Sequence, residues 1–252
     1  MRIAQRIAEK SVNQFGNRSV TMVFLGDSVT HGCFELYKTG PESIETEYRT
    51  AGAYHHLLKQ MIENVFPACP VNIIDSGVSG DNAGGGLKRL ERDVISFNPD
   101  LAVICFGLND VCGGPEKLEE YIGHMKSIFR RLKEEDIEMI CMSPNMIGTR
   151  LLEEDTDPFI RGILESIIKY QNNGTMDMYM TALAGLCAQE NVPFCDCYSM
   201  WKKLYSCGAD VTRLLANHVN HPNEQMHWLF AGELFKTIFD MQGGPEKRDA
   251  DQ

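Results

Sequence analysis

The sequence of 252 residues lacks several features, and each absence excludes a class of protein. It has only 24 Lys and Arg against 35 Asp and Glu, a net charge of −11, and no basic patch that would suit a nucleic acid. No apolar stretch approaches the length of a membrane-spanning helix. Residues 1–8 do not contain the apolar core of a signal peptide. We therefore expect a cytoplasmic protein without nucleic-acid or membrane partners.

The nine cysteines are an odd number and do not form a disulfide or zinc pattern. Several lie in apolar, strand-like runs, where a free thiol behaves as a small hydrophobic side chain. Cys195 and Cys197 are close in sequence, but no second pair has the matching spacing of a metal site. The sequence therefore predicts reduced, buried thiols, with no metal and no cofactor.

Apolar runs rich in β-branched residues alternate with amphipathic helical patterns along the whole chain. The runs predicted as strands are Val20–Leu25, Val71–Asp75, Leu101–Phe106, Ile137–Met142 and Val192–Cys195. Such alternation predicts an α/β fold, a three-layer α/β/α sandwich with a central, mostly parallel, flavodoxin-like sheet of about five strands. We expect a single domain over residues 1–252, with an N-terminal helical extension at 1–18 and a frayed tail at 243–252.

The stretch from Cys33 to Thr50 is polar and contains Gly40-Pro41. These features predict a long irregular loop, and long loops beside a site are usually functional.

Special residues follow three of the predicted strands. The first strand ends in Gly26-Asp27-Ser28, the second in Gly77-Val78-Ser79-Gly80-Asp81, and the third in Gly107-Leu108-Asn109-Asp110. Taken alone, the first of these predicts a strand followed by a helix that Asp27 and Ser28 cap. Because parallel strands open on one edge of the sheet, we expect the three segments to converge there. A fourth segment, His221-Pro222-Asn223, precedes the last predicted helix.

The four segments, in this order, resemble the blocks of the SGNH hydrolases, the GDSL-type esterase and acylhydrolase family. The resemblance implies the SGNH-hydrolase fold, with Ser28 as nucleophile and His221 as its base. It also implies an oxyanion hole formed by the backbone N–H groups of Ser28 and Gly80 and the side-chain amide of Asn109. Asp27 would support the nucleophile.

One position departs from the family pattern, which usually has an aspartate three residues before the histidine. His218 stands there in this chain, and it brings no fixed negative charge. His218 would then be a weak third catalytic residue. Alternatively, a Ser–His dyad works alone, a backbone carbonyl orients His221, or another carboxylate such as Glu224 does so. Three histidines, His218, His221 and His227, suggest a metal only weakly, because serine chemistry accounts for His221.

The resemblance predicts a serine esterase that hydrolyses carboxylic esters with short acyl groups, such as O-acetyl groups on a carbohydrate. Its partner would then be a small-molecule or carbohydrate ester. A long-chain thioesterase or lysophospholipase of the same family is an alternative, but no basic amphipathic helix suggests docking on a membrane. A second alternative is a binding module that kept the fold and lost turnover.

Overall fold

A five-stranded parallel sheet forms the centre of the protein, whose computed structural model describes residues 1–240. The strands, in chain order, are β1 (Val20–Gly26), β2 (Cys33–Gly40), β3 (Ser43–Tyr48), β4 (Val71–Gly77), β5 (Leu101–Cys105), β6 (Met139–Met142) and β7 (Phe194–Cys195). The order in the central sheet is β4-β1-β5-β6-β7, and neighbouring strands are parallel. Strand β5 is buried along its whole length, which explains why its sequence is uniformly apolar.

Helices cover both faces of this sheet. They are α1 (Arg2–Val12), α2 (Tyr54–Val65), α3 (Ala83–Asp93), α4 (Leu118–Glu134), α5 (Pro158–Asn172), α6 (Thr175–Glu190), α7 (Cys197–Ser206) and α8 (Glu224–Phe239). Helix α8 contacts α1 and α2, whereas α4 contacts α3 and α6. The predicted three-layer α/β/α sandwich with a central parallel sheet is confirmed.

The strand order places a crevice at the end of β1. After β1, the chain adds β4 on one side of it and then returns to add β5 on the other side. Ligands of open α/β sheets bind outside the carboxyl ends of the strands at such a reversal of strand order. Ser28 comes two residues after Gly26, the last residue of β1, and therefore lies at this crevice.

The prediction of an irregular loop from Cys33 to Thr50 is wrong. This stretch forms an antiparallel hairpin of β2 and β3, in which Cys33 pairs with Tyr48 and Gly40 with Ser43. Most of its side chains are at least partly exposed, so the hairpin lacks the apolar alternation by which a sequence reveals a strand.

The expected helix directly after Ser28 is also absent within the described residues. A tight turn stands in its place, closed by hydrogen bonds from the His31 N–H to the Asp27 carbonyl (3.0 Å) and from the Cys33 N–H to the Ser28 carbonyl (2.9 Å). This turn leads into β2, and the next α-helix begins only at Tyr54.

All nine cysteines lie within the described residues as free thiols, and seven of them are buried. Over residues 1–240, no helix has both the length and the apolar composition needed to cross a membrane. The predicted tail at 243–252 lies outside the described residues.

Candidate active site

Ser28 is held in the tight turn that follows β1. The Asp27 carboxylate accepts a hydrogen bond from the Val29 N–H at 3.0 Å, and the Ser28 carbonyl accepts one from Cys33. Ser28 and Asp27 are 3% and 1% exposed. The serine is therefore presented from a fixed backbone with little freedom to rotate away.

His221 contacts Ser28 directly. Its Nε2 lies 2.9 Å from the Ser28 Oγ, and its Nδ1 lies 2.9 Å from the backbone carbonyl oxygen of Phe34. A carbonyl can only accept a hydrogen bond, so Nδ1 must carry the proton. Nε2 then has a free lone pair that faces the serine hydroxyl, which is the tautomer that a general base needs.

The loop that carries His221 is organised by the side chain of Asn217. Its Oδ1 accepts hydrogen bonds from the N–H groups of Val219, Asn220 and His221, at 3.1, 2.9 and 2.8 Å. The His221 carbonyl in turn accepts a bond from the Ala216 N–H at 2.7 Å. Asn217 was not predicted as a site residue, although asparagine commonly bonds to backbone groups that follow it in a loop.

His218, the predicted weak third catalytic residue, points to a different partner. Its Nδ1 lies 2.7 Å from the Asp155 Oδ1, and its backbone has a positive φ of 58°. Glu224 lies beside Arg49, at 4.0 Å. The structure therefore does not join His218 or Glu224 to the ring of His221. The sequence left four arrangements open. The structure shows the one in which a backbone carbonyl, that of Phe34, contacts the ring of His221.

Gly80 lies in the turn that follows β4. The Asp81 N–H donates to the Val78 carbonyl at 3.1 Å, and Gly80 has a φ of +78°, as in a type II turn. A Cβ built on Gly80 would have no neighbouring atom within 4 Å, so space alone does not require glycine here. The left-handed backbone conformation does.

Asn109 follows β5 and is bonded to the same loop. Its side-chain amide donates to the Asp81 carbonyl at 2.7 Å, and the neighbouring Asp110 accepts from the Ala83 N–H at 3.1 Å. An amide nitrogen has two N–H groups, so Asn109 keeps one for a further acceptor. These bonds tie the segment after β5 to the segment that contains Gly80.

The loop after β4 also packs tightly against the turn that carries Ser28. The Val78 N–H donates to the Gly26 carbonyl at 3.1 Å. A Cβ on Gly77 would lie only 2.2 Å from the backbone nitrogen of His31, so no larger residue fits there. The predicted convergence of the strand ends is thus present in the backbone.

Arg89, on α3, joins the segments that carry the site and was not predicted to do so. Its guanidinium donates to the Gly26 carbonyl (2.9 Å), the Ser76 carbonyl (2.6 Å) and the Asp81 carboxylate (2.7 Å). The side chain is only 10% exposed. An arginine within an amphipathic helix is usually a surface residue, so the sequence carries little signal for this role.

The sequence model of the GDSL-like Lipase/Acylhydrolase family matches residues 24–229, which span all four predicted segments. The chain belongs to this family. The predicted resemblance is confirmed, and this GDSL-like acylhydrolase is an SGNH-type esterase.

The GDSL-like acylhydrolase is similar to an acetylxylan esterase of Geobacillus stearothermophilus. The two are 24% identical over 230 residues, which cover 86% of this chain and 93% of the relative. The crystal structure of Axe2, an acetylxylan esterase from the same organism, superposes with a TM-score of 0.64 at 23% identity, over 87% of this chain and 94% of the other. The acetyl xylan esterase AlAXEase gives a TM-score of 0.64 at 18% identity, over 87% and 100%.

These structural likenesses establish the fold of the acylhydrolase. Two of the Axe2 structures are of catalytic mutants, one with a serine and one with an aspartate replaced by alanine. In the acylhydrolase the position three residues before the histidine is occupied by His218, which bonds to Asp155.

Burial sets the protonation of the acylhydrolase's site. It lowers the pKa of His221 to about 4, although the hydrogen bond to Phe34 opposes this shift. Burial raises the pKa of Asp27 to about 7, and the charges of Asp110 and Asp81 add to the effect. Burial also raises the pKa of Asp110 to about 6. At neutral pH, His221 is therefore uncharged and able to accept a proton.

Proposed function

We propose that this esterase removes short acyl groups, acetyl foremost, from the hydroxyl groups of a carbohydrate through an acyl-enzyme on Ser28. The observation that carries the proposal is the contact of 2.9 Å between the Ser28 Oγ and the His221 Nε2, with Nδ1 bonded to the Phe34 carbonyl. The similarity to an acetylxylan esterase supports acetyl as the acyl group and a sugar as the alcohol.

In the first half of the reaction, the Ser28 Oγ attacks the ester carbonyl while His221 takes its proton at Nε2. The tetrahedral intermediate collapses, the bond to the alcohol oxygen breaks, and His221 returns the proton to the departing sugar hydroxyl. In the second half, His221 takes a proton from water as the water attacks the acyl carbon. The bond from that carbon to the Ser28 Oγ then breaks, His221 returns the proton to Oγ, and acetic acid leaves and ionises to acetate. Both halves need His221 to be neutral before attack.

The negative charge of each tetrahedral intermediate is stabilised by fixed donors. The N–H groups of Ser28 and Gly80 and the free amide hydrogen of Asn109 are assigned this role on the family pattern. Removing one such donor typically costs about 100- to 1000-fold in rate. The position of Gly80 supports this assignment. The Asp81 N–H donates the hydrogen bond that closes the turn, so the Gly80 N–H is not used in that bond.

The experiment compares Ser28→Ala with the wild-type esterase on acetylated xylo-oligosaccharides and on p-nitrophenyl acetate, with acetate release as the readout. Ser96→Ala, at an exposed surface position, is the matched control. We expect full activity in the control and loss of nearly all activity in Ser28→Ala. Equal activity in all three proteins, or no ester hydrolysis by the wild type, would refute the proposal.

A series of p-nitrophenyl esters tests the preference for short acyl groups. We expect kcat/KM to fall as the acyl chain lengthens beyond acetyl. Activity that rises beyond about eight carbons would favour a long-chain acylhydrolase. Each methylene of the acyl chain adds about 0.8 kcal/mol to the binding free energy only where an apolar trough buries it. A fluorophosphonate that fails to label Ser28 would favour a binding module without turnover.

A further inference from the structure

A half-exposed aromatic side chain borders the nucleophile turn. Tyr48, the last residue of β3, has 50% of its surface exposed. Its ring centroid lies 4.8 Å from that of His31, with an angle of 60° between the two rings, and His31 is three residues after Ser28. One side of the tyrosine ring thus contacts the turn that carries the nucleophile, while much of the rest faces solvent.

The backbone of Tyr48 is connected to Ser28 through a single residue. Tyr48 pairs with Cys33 across the hairpin, and the Cys33 N–H donates to the Ser28 carbonyl at 2.9 Å. Opposite residues of an antiparallel pair are about 4.5 to 5.5 Å apart at Cα. The position of this aromatic ring is therefore coupled to that of the nucleophile.

Tyr48 also lies beside the loop that contains Gly80. Burial raises the pKa of Tyr48, the charge of the Cys33 thiol adds to the shift, and the side chain of Ser79 opposes it. Ser79 immediately precedes Gly80. The phenol ring therefore stands at the junction of the nucleophile turn, the hairpin and the loop assigned to the oxyanion hole.

We infer that Tyr48 is a binding platform for the sugar ring that carries the acetyl ester, an inference that rests on the proposed function. One face of a pyranose ring presents C–H groups, which pack against an aromatic face, while the hydroxyl groups stay in water. The Tyr48 ring is suited to this contact because it packs against His31, in the turn that carries Ser28, while half of its surface stays open to solvent. The alcohol part of the ester would leave Ser28 along this ring.

The test measures kcat and KM for acetylated xylo-oligosaccharides and for ethyl acetate, whose alcohol has no ring to stack. The variants are Tyr48→Leu, which keeps apolar bulk without an aromatic face, and Tyr48→Phe, which keeps the ring. For Tyr48→Leu we expect KM for the sugar ester to rise about three- to tenfold, and the preference for the sugar ester over ethyl acetate to fall by the same factor. Tyr48→Phe should retain the wild-type preference.

Tyr37→Leu is the matched control, because Tyr37 lies on β2 of the same hairpin and is 51% exposed. This control should keep the wild-type preference. The inference is overturned if Tyr48→Leu also keeps it, or if Tyr37→Leu loses it equally. Labelling of Ser28 by a fluorophosphonate at the wild-type rate shows that a variant is folded. A wild type that cleaves the sugar ester, with Tyr48→Leu keeping its preference, overturns the platform alone. A wild type that cleaves no sugar ester overturns the proposed function and the platform with it.

Discussion

At the scale of single residues, the most informative contact is between His221 and a backbone carbonyl. The Phe34 oxygen occupies the Nδ1 side of the ring, where it fixes the tautomer. A carbonyl supplies a dipole but no full negative charge, so it stabilises the imidazolium less than a carboxylate would. This difference has a consequence for the pH dependence of the esterase.

We predict that kcat/KM stays nearly constant from pH 7 down to about pH 5 and falls with a midpoint near pH 4. The base must be neutral, and burial lowers the pKa of His221 to about 4, so protonation disables it only below that range. The measurement is kcat/KM for p-nitrophenyl acetate between pH 3.5 and 8, with activity re-measured at pH 7 to exclude unfolding. A midpoint near 6.5 would contradict the prediction.

His218 and His221 should differ sharply on substitution. The ring of His218 bonds to Asp155 rather than to His221, so we expect His218→Ala to reduce kcat by less than about tenfold. His221→Ala removes the base itself and should cost about 10⁴-fold or more. Steady-state kinetics of both variants on one ester checks this. An equally deep loss in His218→Ala would mean that His218 acts in catalysis despite its position.

At the scale of elements, the β2–β3 hairpin supplies the carbonyl that accepts a hydrogen bond from His221, the proposed base. Phe34 is buried, and the guanidinium of Arg49 lies 4.3 Å from the centre of its ring. Arg49 also pairs with Glu35 at 2.7 Å and with Glu47 at 2.9 Å. The hairpin is thus held in place by side chains of both of its strands, which keeps the Phe34 carbonyl aligned with His221.

Helix α3 contributes Arg89, and its substitution tests how far the site depends on that helix. We predict that Arg89→Lys lowers kcat about 10- to 100-fold, because one ammonium cannot reach all the oxygens that the planar guanidinium joins. We also expect a loss of about 1 to 3 kcal/mol in the free energy of unfolding, since one ammonium leaves at least one of these buried oxygens without a donor.

Arg92→Lys is the control for this substitution. Arg92 lies on the same helix, but its side chain is 77% exposed. Its replacement should leave kcat and the free energy of unfolding nearly unchanged. Steady-state kinetics and urea unfolding of both variants measure kcat and the free energy of unfolding. Similar changes in Arg89→Lys and Arg92→Lys would contradict the prediction that Arg89 holds the site together.

At the scale of the whole molecule, buried groups with shifted pKa values couple stability to pH. Burial lowers the pKa of His55 to about 4 and of His227 to about 3. Like His221, these side chains bind a proton below about pH 6.5 when the chain is unfolded. The folded protein does not bind these protons until the pH is much lower. Their contribution to stability is therefore present above pH 6.5 and is lost as the pH falls toward 4.

Asp27 has the opposite effect, which gives a prediction of defined sign. Its pKa is about 7 in the folded protein and about 3.9 when unfolded, so between these values the folded state holds one extra proton. Its stabilising contribution is present below pH 3.9 and is lost as the pH rises through 7. Relative to Asp27→Asn, the wild type should gain about 1.4 kcal/mol per unit of pH decrease between pH 6.5 and 4.5.

Urea unfolding of both proteins at pH 6.5, 5.5 and 4.5 measures this difference. Glu42→Gln, at the exposed tip of the hairpin, serves as the control and should follow the wild type. A constant gap between the wild type and Asp27→Asn would show that Asp27 does not hold the extra proton.

The sequence by itself determined the layered fold and the segments that meet at the site. Helical and strand periodicities depend on residue type alone, so they indicated the five central strands, which the structure confirms. The sequence also singled out Ser28, Gly80, Asn109 and His221, because the short segments that carry them resemble the blocks of the family and lie at the ends of strands or in the loop before the last helix.

Only the tertiary structure decided how these segments are held together. The acceptor of His221 is a backbone carbonyl 187 residues away, and every residue has such a carbonyl, so no residue type marks it. The polar hairpin that positions it has no clear alternation, and Arg89 looks like a surface residue until its helix is packed. The ring of His218 bonds to Asp155, which is 63 residues away in sequence. These contacts depend on distances in space rather than on neighbours in sequence, and for this reason the folded chain alone specifies them.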